Sequence, residues 1–129
     1  MNQLTATLHT VQAVDSLHQL TFRLGGQTLR LLSLELHGQI KIGNPYQLCV
    51  KSTDIALAKN LSGQLSYLNQ INATVTAINN GALLSSVILD IEGFAMESVI
   101  PYSAVVSMDL QVDDRVVALM RGSEVSIFG

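Results

Sequence analysis

The sequence is poor in cysteine, aromatic residues and positive charge, and each shortage excludes a class of protein. Cys49 is the single cysteine, so no internal disulfide can form, and between Leu48 and Val50 it is expected to be a buried strand residue. There is no tryptophan, and seven Lys and Arg residues stand against ten Asp and Glu residues, for a net charge of −3. Nucleic-acid binding needs a basic surface and exposed aromatic rings for base stacking, so we expect no nucleic-acid partner.

Membrane-spanning, secretory and catalytic signals are also missing. No apolar run approaches the roughly 18–20 residues that span a bilayer, and Met1-Asn2-Gln3 begins no secretory signal, which favours a cytoplasmic protein. No glycine-rich loop ends in Gly-Lys-Ser or Gly-Lys-Thr, so we expect no nucleotide in this chain and no enzyme activity. His9, His18 and His37 show no metal-ligand spacing, so we expect no metal site. Asp113-Asp114 predicts a turn rather than an acid/base pair.

The chain does contain an internal repeat. Asn2–Leu8 reappears 67 positions later as Asn69–Val75, and Val50–Ile55 returns 70 positions later as Met120–Val125. The repeat predicts a first unit at residues 1–59, a linker at 60–65 and a second unit at 66–129. A unit of about 60 residues buries only roughly 60 % of its unfolded surface, so the units are expected to pack together or on a partner. Because 48 % of the residues are apolar, we expect a homodimer that associates through a large apolar interface.

Alternating apolar and polar residues, together with turn residues, predict an all-β fold. Leu20, Phe22 and Leu24 alternate with Thr21 and Arg23, which is the period of a half-buried strand. Predicted elements are hairpins at Leu17–Leu24 with Gln27–Leu36 and at Gln70–Ile78 with Ala82–Ile91, strands at Tyr46–Val50, Asp54–Ala58, Arg115–Met120 and Glu124–Phe128, a helix at Tyr102–Met108 after Pro101, and its shorter counterpart at Glu35–Gln39. Short strands, hairpins and at most one short helix per unit predict two tandem OB-like five-stranded Greek-key barrels.

The candidate binding site is formed by two polar segments of the second unit, Ser66–Ile71 at its start and Arg121–Ser123 before its last strand. We call Lys51–Asp54 the first landmark and Arg121–Glu124 the second landmark. Small hydroxyl residues, a glycine and one cation beside exposed backbone N–H groups suit a tetrahedral oxyanion, which presents only acceptors. Turn residues and a surface arginine remain the alternative interpretation. The candidate oxyanion-binding residues are Ser66, Tyr67, Asn69, Arg121, Gly122, Ser123 and Ser103, with Lys51 and Ser52 as second candidates.

In order along the chain, these motifs resemble a known family. Lys51–Ala58, followed by Leu65–Ile71, is similar to the regulatory C-terminal region of molybdate-importer ATPases. There, Arg-Ala-Arg-Asp-Val-x-Leu-Ala precedes Leu-Ser-Ala-Leu-Asn and opens a Mop (molybdate-binding, TOBE-type) unit. Arg121–Val125 lies where Mop units carry Lys-Ala-Ser. In soluble molybdate-storage proteins the opening motif is Ser-Ala-Arg-Asn, and here Leu68 takes the place of its arginine. In the segment that enters the helix, where the family often carries Thr and Ser donors, this chain has Pro101 and Ala104.

The resemblance implies a molybdate- or tungstate-binding regulatory domain. Such domains dimerise, bind the oxyanion at their interface and hold the ATPase domains of the transporter apart, which stops transport through the membrane permease. The protein would then lie at the inner face of the membrane, and the ATPase domain that precedes this region in the family is absent from the sequence. A free-standing molybdate-storage protein and a dimerisation module without ligand are the alternatives.

Overall fold

The computed structural model describes residues 2–34 and 38–128. Within these ranges the elements are β1 (Asn2–Val14), β2 (Leu17–Leu24), β3 (Gln27–Ser33), β4 (Pro45–Val50), β5 (Ala56–Ala58), β6 (Asn69–Asn80), β7 (Leu84–Ile91), β8 (Phe94–Pro101), α1 (Tyr102–Ser107), β9 (Arg115–Met120) and β10 (Ser126–Ile127). Each landmark forms a single 3-10 turn, at Ser52–Asp54 and at Gly122–Glu124. The part of the chain that is described contains no helix long and apolar enough to cross a membrane.

The strands form where apolar and polar residues alternate. In β1, Leu4, Ala6 and Leu8 are buried while Thr5 and Thr7 are exposed, because successive side chains of a strand point to opposite faces. Both predicted hairpins are confirmed, although β3 ends at Ser33. The predicted helix is confirmed as α1, which is one residue shorter than expected and has Pro101 as its N-cap. The predicted counterpart at Glu35–Gln39 falls mainly on residues 35–37, outside the described residues. Strands β1 and β8 were not among the predicted elements.

Two curled five-stranded sheets confirm the predicted all-β, tandem OB-like architecture. Their strand orders are β10-β4-β1-β2-β3 and β5-β9-β6-β7-β8. The internal repeat extends to irregularities, since the ladder shifts register between Leu8 and Thr10 in β1 and between Val75 and Ala77 in β6, which is 67 positions later. The backbone at each bulge bonds the turn before the fourth strand of its repeat. Leu8 N–H donates to the Asn44 carbonyl and Val75 N–H to the Asp114 carbonyl, both at 2.9 Å. Asp113-Asp114 is therefore a turn, as predicted.

Each sheet takes its last strand from the other repeat. The first repeat supplies β5, which pairs antiparallel with β9, and the second repeat supplies β10, which pairs antiparallel with β4. The boundaries 1–59 and 66–129 thus describe the order of the chain, whereas each sheet contains residues of both repeats. The exchange joins the repeats, and the buried side chains of both form one apolar core. This arrangement agrees with the physical expectation that a unit of this size is marginal alone.

Candidate functional site

The exchanged strands bring the two landmarks together. Each landmark turn is closed by the same bond, from Asp54 N–H to the Lys51 carbonyl at 2.9 Å and from Glu124 N–H to the Arg121 carbonyl at 3.0 Å. The chain then crosses to the other sheet as β5 or β10. Two clefts lie beside the paired turns, and Asp54 and Glu124 line both of them.

The first of these, which we call the Arg121 cleft, has a volume of about 400 Å³. Arg121 and Tyr67 line it together with Thr53 and the end of β8 from Val99 to Pro101. The guanidinium carbon of Arg121 lies 5.9 Å from the centroid of the Tyr67 ring, which is cation–π distance. The ring therefore orients Arg121, the cation among the described residues that line this cleft, while the edge of the guanidinium can still donate to a ligand.

The second, which we call the Lys51 cleft, has a volume of about 300 Å³. It is lined by Lys51, Ser123 and Ser126 as well as by the two shared carboxylates. Ser123 also borders an apolar surface formed by Leu17 and Leu32–Leu34. Each cleft is thus composite, with its cation from one landmark and a hydroxyl from the other. The sequence did not single out Thr53, although it occupies the position in the first repeat that Ser123 occupies in the second.

The predicted site residues are consequently divided between the clefts. Arg121 and Tyr67 lie together, whereas Ser123 lies with Lys51. Arg121 is the extended residue that precedes the 3-10 turn and Ser123 lies within the turn, so their side chains leave the backbone in different directions. Ser66 is exposed just before Tyr67, and Ser103 is exposed on the first turn of α1, two residues after Pro101 at the rim of the Arg121 cleft.

The side chain of Asn69 bonds the backbone of Arg30. Its side chain is 1 % exposed, and its amide oxygen accepts a 2.6 Å hydrogen bond from Arg30 N–H while its amide nitrogen donates a 2.8 Å bond to the Arg30 carbonyl. The carboxamide therefore fastens the second repeat to β3 of the first and does not face either cleft. Asn2, its counterpart in the first repeat, bonds the Glu97 backbone in the same way, at 2.7 and 2.8 Å.

Gly122 is a packing position. A Cβ atom there would lie 2.7 Å from Cδ2 of Leu68 and 3.2 Å from the backbone nitrogen of Leu32. Leu68, which replaces the arginine of storage proteins, thus packs on Gly122 and adds no charge. The close approach of the turn to β3 is the reason that this position holds a glycine.

Ser52, the equivalent of Gly122 in the first repeat, contacts a carboxylate that the sequence did not identify. Glu97 on β8 accepts a 2.6 Å hydrogen bond from Ser86 Oγ and another from the Ser52 hydroxyl. These bonds, that from Ser86 first, hold the pKa of Glu97 below its ordinary value. Glu97 lies 67 positions after Arg30, so the repeat itself was the signal that could have drawn attention to this pair.

Among the described residues, the remaining chemistry-bearing side chains do not assemble into a second kind of site. Cys49 is buried, as predicted, with the Ser126 hydroxyl 3.7 Å from its sulfur. His9 lies 3.2 Å from an Arg23 nitrogen on the neighbouring strand. Among residues 2–34 and 38–128, no three His, Cys, Asp or Glu side chains are arranged to hold a metal ion.

Comparison with known proteins agrees with this architecture. Residues 65–127 match the TOBE domain family. Among solved structures, the cytoplasmic molybdate-binding protein ModG, in a crystal form with molybdate bound, is similar over 98 % of this chain and 94 % of its own, at 25 % identity and a TM-score of 0.89. A molybdate-binding protein from Sporomusa ovata is similar over 52 % of this chain and all of its own, at 27 % identity and a TM-score of 0.50. No curated protein matches the chain in sequence. The second repeat therefore contains a TOBE-type unit at residues 65–127, and the two repeats together are similar in fold to ModG.

Proposed function

We propose that this protein binds molybdate or tungstate as an intact oxyanion. The observation that carries the proposal is the similarity to ModG, which extends over nearly the whole of both chains and whose structure contains molybdate. The two tandem units make up almost all of that relative, so the proposed binding requires no further domain. The role is one of binding rather than catalysis.

The composite clefts are the proposed sites. Each offers one cation and at least one hydroxyl from the opposite landmark: Arg121 with Thr53, and Lys51 with Ser123. A tetrahedral oxyanion accepts hydrogen bonds at every oxygen, so converging hydroxyl, backbone and cationic donors match its chemistry. Tyr67 orients Arg121, and Ser66 and Ser103 lie near the rim of the Arg121 cleft as further donors.

A second copy of the chain is the proposed partner. Asp54 and Glu124 line both clefts, so within one chain the carboxylates that line each cleft outnumber its cation. A dianion needs more positive charge or more donors than this, and a second subunit can supply them. Exposed apolar side chains flank both clefts at positions that the repeat relates. Leu17, which is 46 % exposed, lies beside Leu34, and the equivalent Leu84, which is 58 % exposed, lies beside Pro101. We propose that these surfaces form the homodimer contact and place the partner's donors over the clefts.

Regulation of a molybdate importer is a second candidate function. Leu68, where storage proteins carry arginine, is the observation that favours it, because the importer ATPases resemble this chain at that position. In that setting the chain would act at the cytoplasmic face of the membrane, and oxyanion binding would favour the subunit arrangement that holds the ATPase domains apart. Such coupling requires the anion to bind the inhibited arrangement more tightly than the active one.

Native mass spectrometry of the purified chain, with and without sodium molybdate, tests the proposed function. We expect a dimer whose mass increases by whole molybdate ions, and retention of those ions when sulfate replaces free molybdate. A monomer that acquires no molybdate would contradict the proposal and leave the interpretation of a module without ligand.

A further inference from the structure

The two clefts occupy equivalent places in the repeat, yet the third strands beside them carry opposite charges. Glu97 on β8 and Arg30 on β3 are 67 positions apart, the same separation as Asn2 and Asn69, which bond their backbones. Asp54 and Glu124 line both clefts and so do not distinguish them. Besides the different cations that line them, Arg121 and Lys51, the clefts therefore differ in the charge at position 30 or 97.

Glu97 belongs beside the Arg121 cleft. Its carboxylate is bonded by Ser52, the residue before Thr53, which lines that cleft. On β8 it lies two residues from Val99, another lining residue, and alternation along the strand places both on the same face. A negative charge held there repels an incoming oxyanion and withdraws the Ser52 hydroxyl from it.

Arg30 belongs beside the Lys51 cleft. Its carbonyl oxygen would lie 3.4 Å from a Cβ on Gly122, the residue before Ser123. It shares a face of β3 with Leu32, which borders Ser123. No hydroxyl stands at Gly122 and no carboxylate at position 30, so this cleft has a second cation as its neighbour in place of Glu97.

We propose that the two clefts are unequal oxyanion sites, with the Lys51 cleft the tighter one because Arg30 supports it and Glu97 opposes binding at the Arg121 cleft. This inference rests on the proposed function and adds to it which cleft fills first. Glu97 would act on the oxyanion through its negative charge and without direct contact, because its carboxylate already accepts hydrogen bonds from Ser52 and Ser86.

Calorimetric titration with sodium molybdate tests the ranking when each cleft is studied alone. In a Lys51→Ala background, which leaves the Arg121 cleft, Glu97→Gln is expected to tighten binding about tenfold, the effect of one unit charge at partly screened distance. In an Arg121→Ala background, Arg30→Gln is expected to weaken binding at the Lys51 cleft by about the same factor. Glu92→Gln, an equal change of charge on the exposed β7–β8 turn, is the matched control and should change neither.

The outcomes are distinct. Unchanged dissociation constants in folded Glu97→Gln and Arg30→Gln variants, or tighter binding at the Arg121 cleft than at the Lys51 cleft, would overturn the ranking and leave the proposed function standing. Absence of binding in the wild type and in every variant would overturn both. Circular dichroism establishes that each variant is folded, and if Glu97→Gln does not fold, the Arg30→Gln arm decides the result.

Discussion

Asn2 and Asn69 make the same pair of hydrogen bonds, each to a backbone strand of the other repeat. Asn2 bonds both the N–H and the carbonyl of Glu97, and Asn69 bonds both groups of Arg30, over distances of 2.6–2.8 Å. The first strand of each repeat thus fastens the third strand of the other. Together with the exchanged strands β5 and β10, these amides hold the landmarks in fixed relation, and the clefts depend on that relation.

Loss of the Asn69 amide should destabilise the fold. Asn69→Ala leaves two partly buried backbone groups of Arg30 without these partners, and we expect the free energy of unfolding to fall by about 2–4 kcal/mol. Asn2→Ala should cost less, because Asn2 is 8 % exposed against 1 % for Asn69. The exposed Asn72 is the matched control, and Asn72→Ala should change stability by less than about 0.5 kcal/mol. Urea unfolding measures all three, and equal midpoints for Asn69→Ala and Asn72→Ala would contradict the proposed fastening.

Gly122→Ala tests the close packing of the second landmark. The added Cβ would lie 2.7 Å from Leu68 Cδ2, so we expect a loss of about 1–3 kcal/mol. Shortening Leu68 to alanine removes that contact, and the double variant should lose less than the sum of the single variants. Gly26→Ala, where nothing lies within 4 Å of the added carbon, is the control for the loss of glycine itself. Additive effects of Gly122→Ala and Leu68→Ala in thermal unfolding would show that the two residues do not press on each other.

The low pKa of Glu97 makes part of the stability dependent on pH. Because the folded pKa lies below the ordinary value of 4.5, the carboxylate stabilises the fold above that pH and loses its effect as pH falls through 4.5 toward the folded value. We expect Glu97→Gln to melt at a lower temperature than wild type at pH 7, and the difference to shrink as pH falls below 4.5 toward the folded pKa of Glu97. The pKa of Asp114 is also lowered, by its hydrogen bond with Lys59, but Asp114 is present in both proteins, so its pH-dependent contribution to stability cancels in the comparison. A difference in melting temperature that stays constant from pH 7 to pH 3 would exclude ionisation of Glu97 as its cause.

Arg121 should matter for binding and not for folding. Arg121→Ala removes the charged donor of the Arg121 cleft, and we expect affinity at that cleft to fall about 10- to 150-fold, equivalent to roughly 1.5–3 kcal/mol. Ser66→Ala, which removes one neutral donor, should cost about 1 kcal/mol. Arg115→Ala is the control with the same change of charge, since Arg115 lies at the opposite end of β9. Calorimetry in the Lys51→Ala background measures molybdate affinity at the Arg121 cleft. If the Arg121→Ala and Arg115→Ala variants bind molybdate equally well there, the ligand lies elsewhere.

Local pattern was sufficient to predict most of the fold. The bounds of β2 and β9 were predicted to the residue because alternation and flanking turns are encoded within each segment. The exchange of β5 and β10 could not be predicted in this way, since a strand of two or three residues carries no information about which sheet it joins. The landmarks were recognised in the sequence as repeated segments, and Ser123 and Arg121 were expected in one site. The 3-10 turn separates them, and the exchange brings Lys51 to Ser123 instead. Glu97 was missed because its partners Ser52 and Ser86 come from elements distant in sequence.

Selectivity among tetrahedral anions is the most direct test of oxyanion binding. Molybdate and sulfate are both dianions at pH 7, so only cavity size and the reach of the donors can separate them. Phosphate is partly protonated, and a site that presents only donors would leave its O–H without a partner, at a cost of roughly 1–3 kcal/mol. Calorimetric titration of the wild-type protein with molybdate, tungstate, sulfate and phosphate at matched ionic strength is the decisive measurement. We predict similar affinities for molybdate and tungstate, with sulfate and phosphate weaker by about tenfold or more. Equal affinity for sulfate, or no saturable heat with molybdate, would contradict the assignment of these clefts as molybdate sites.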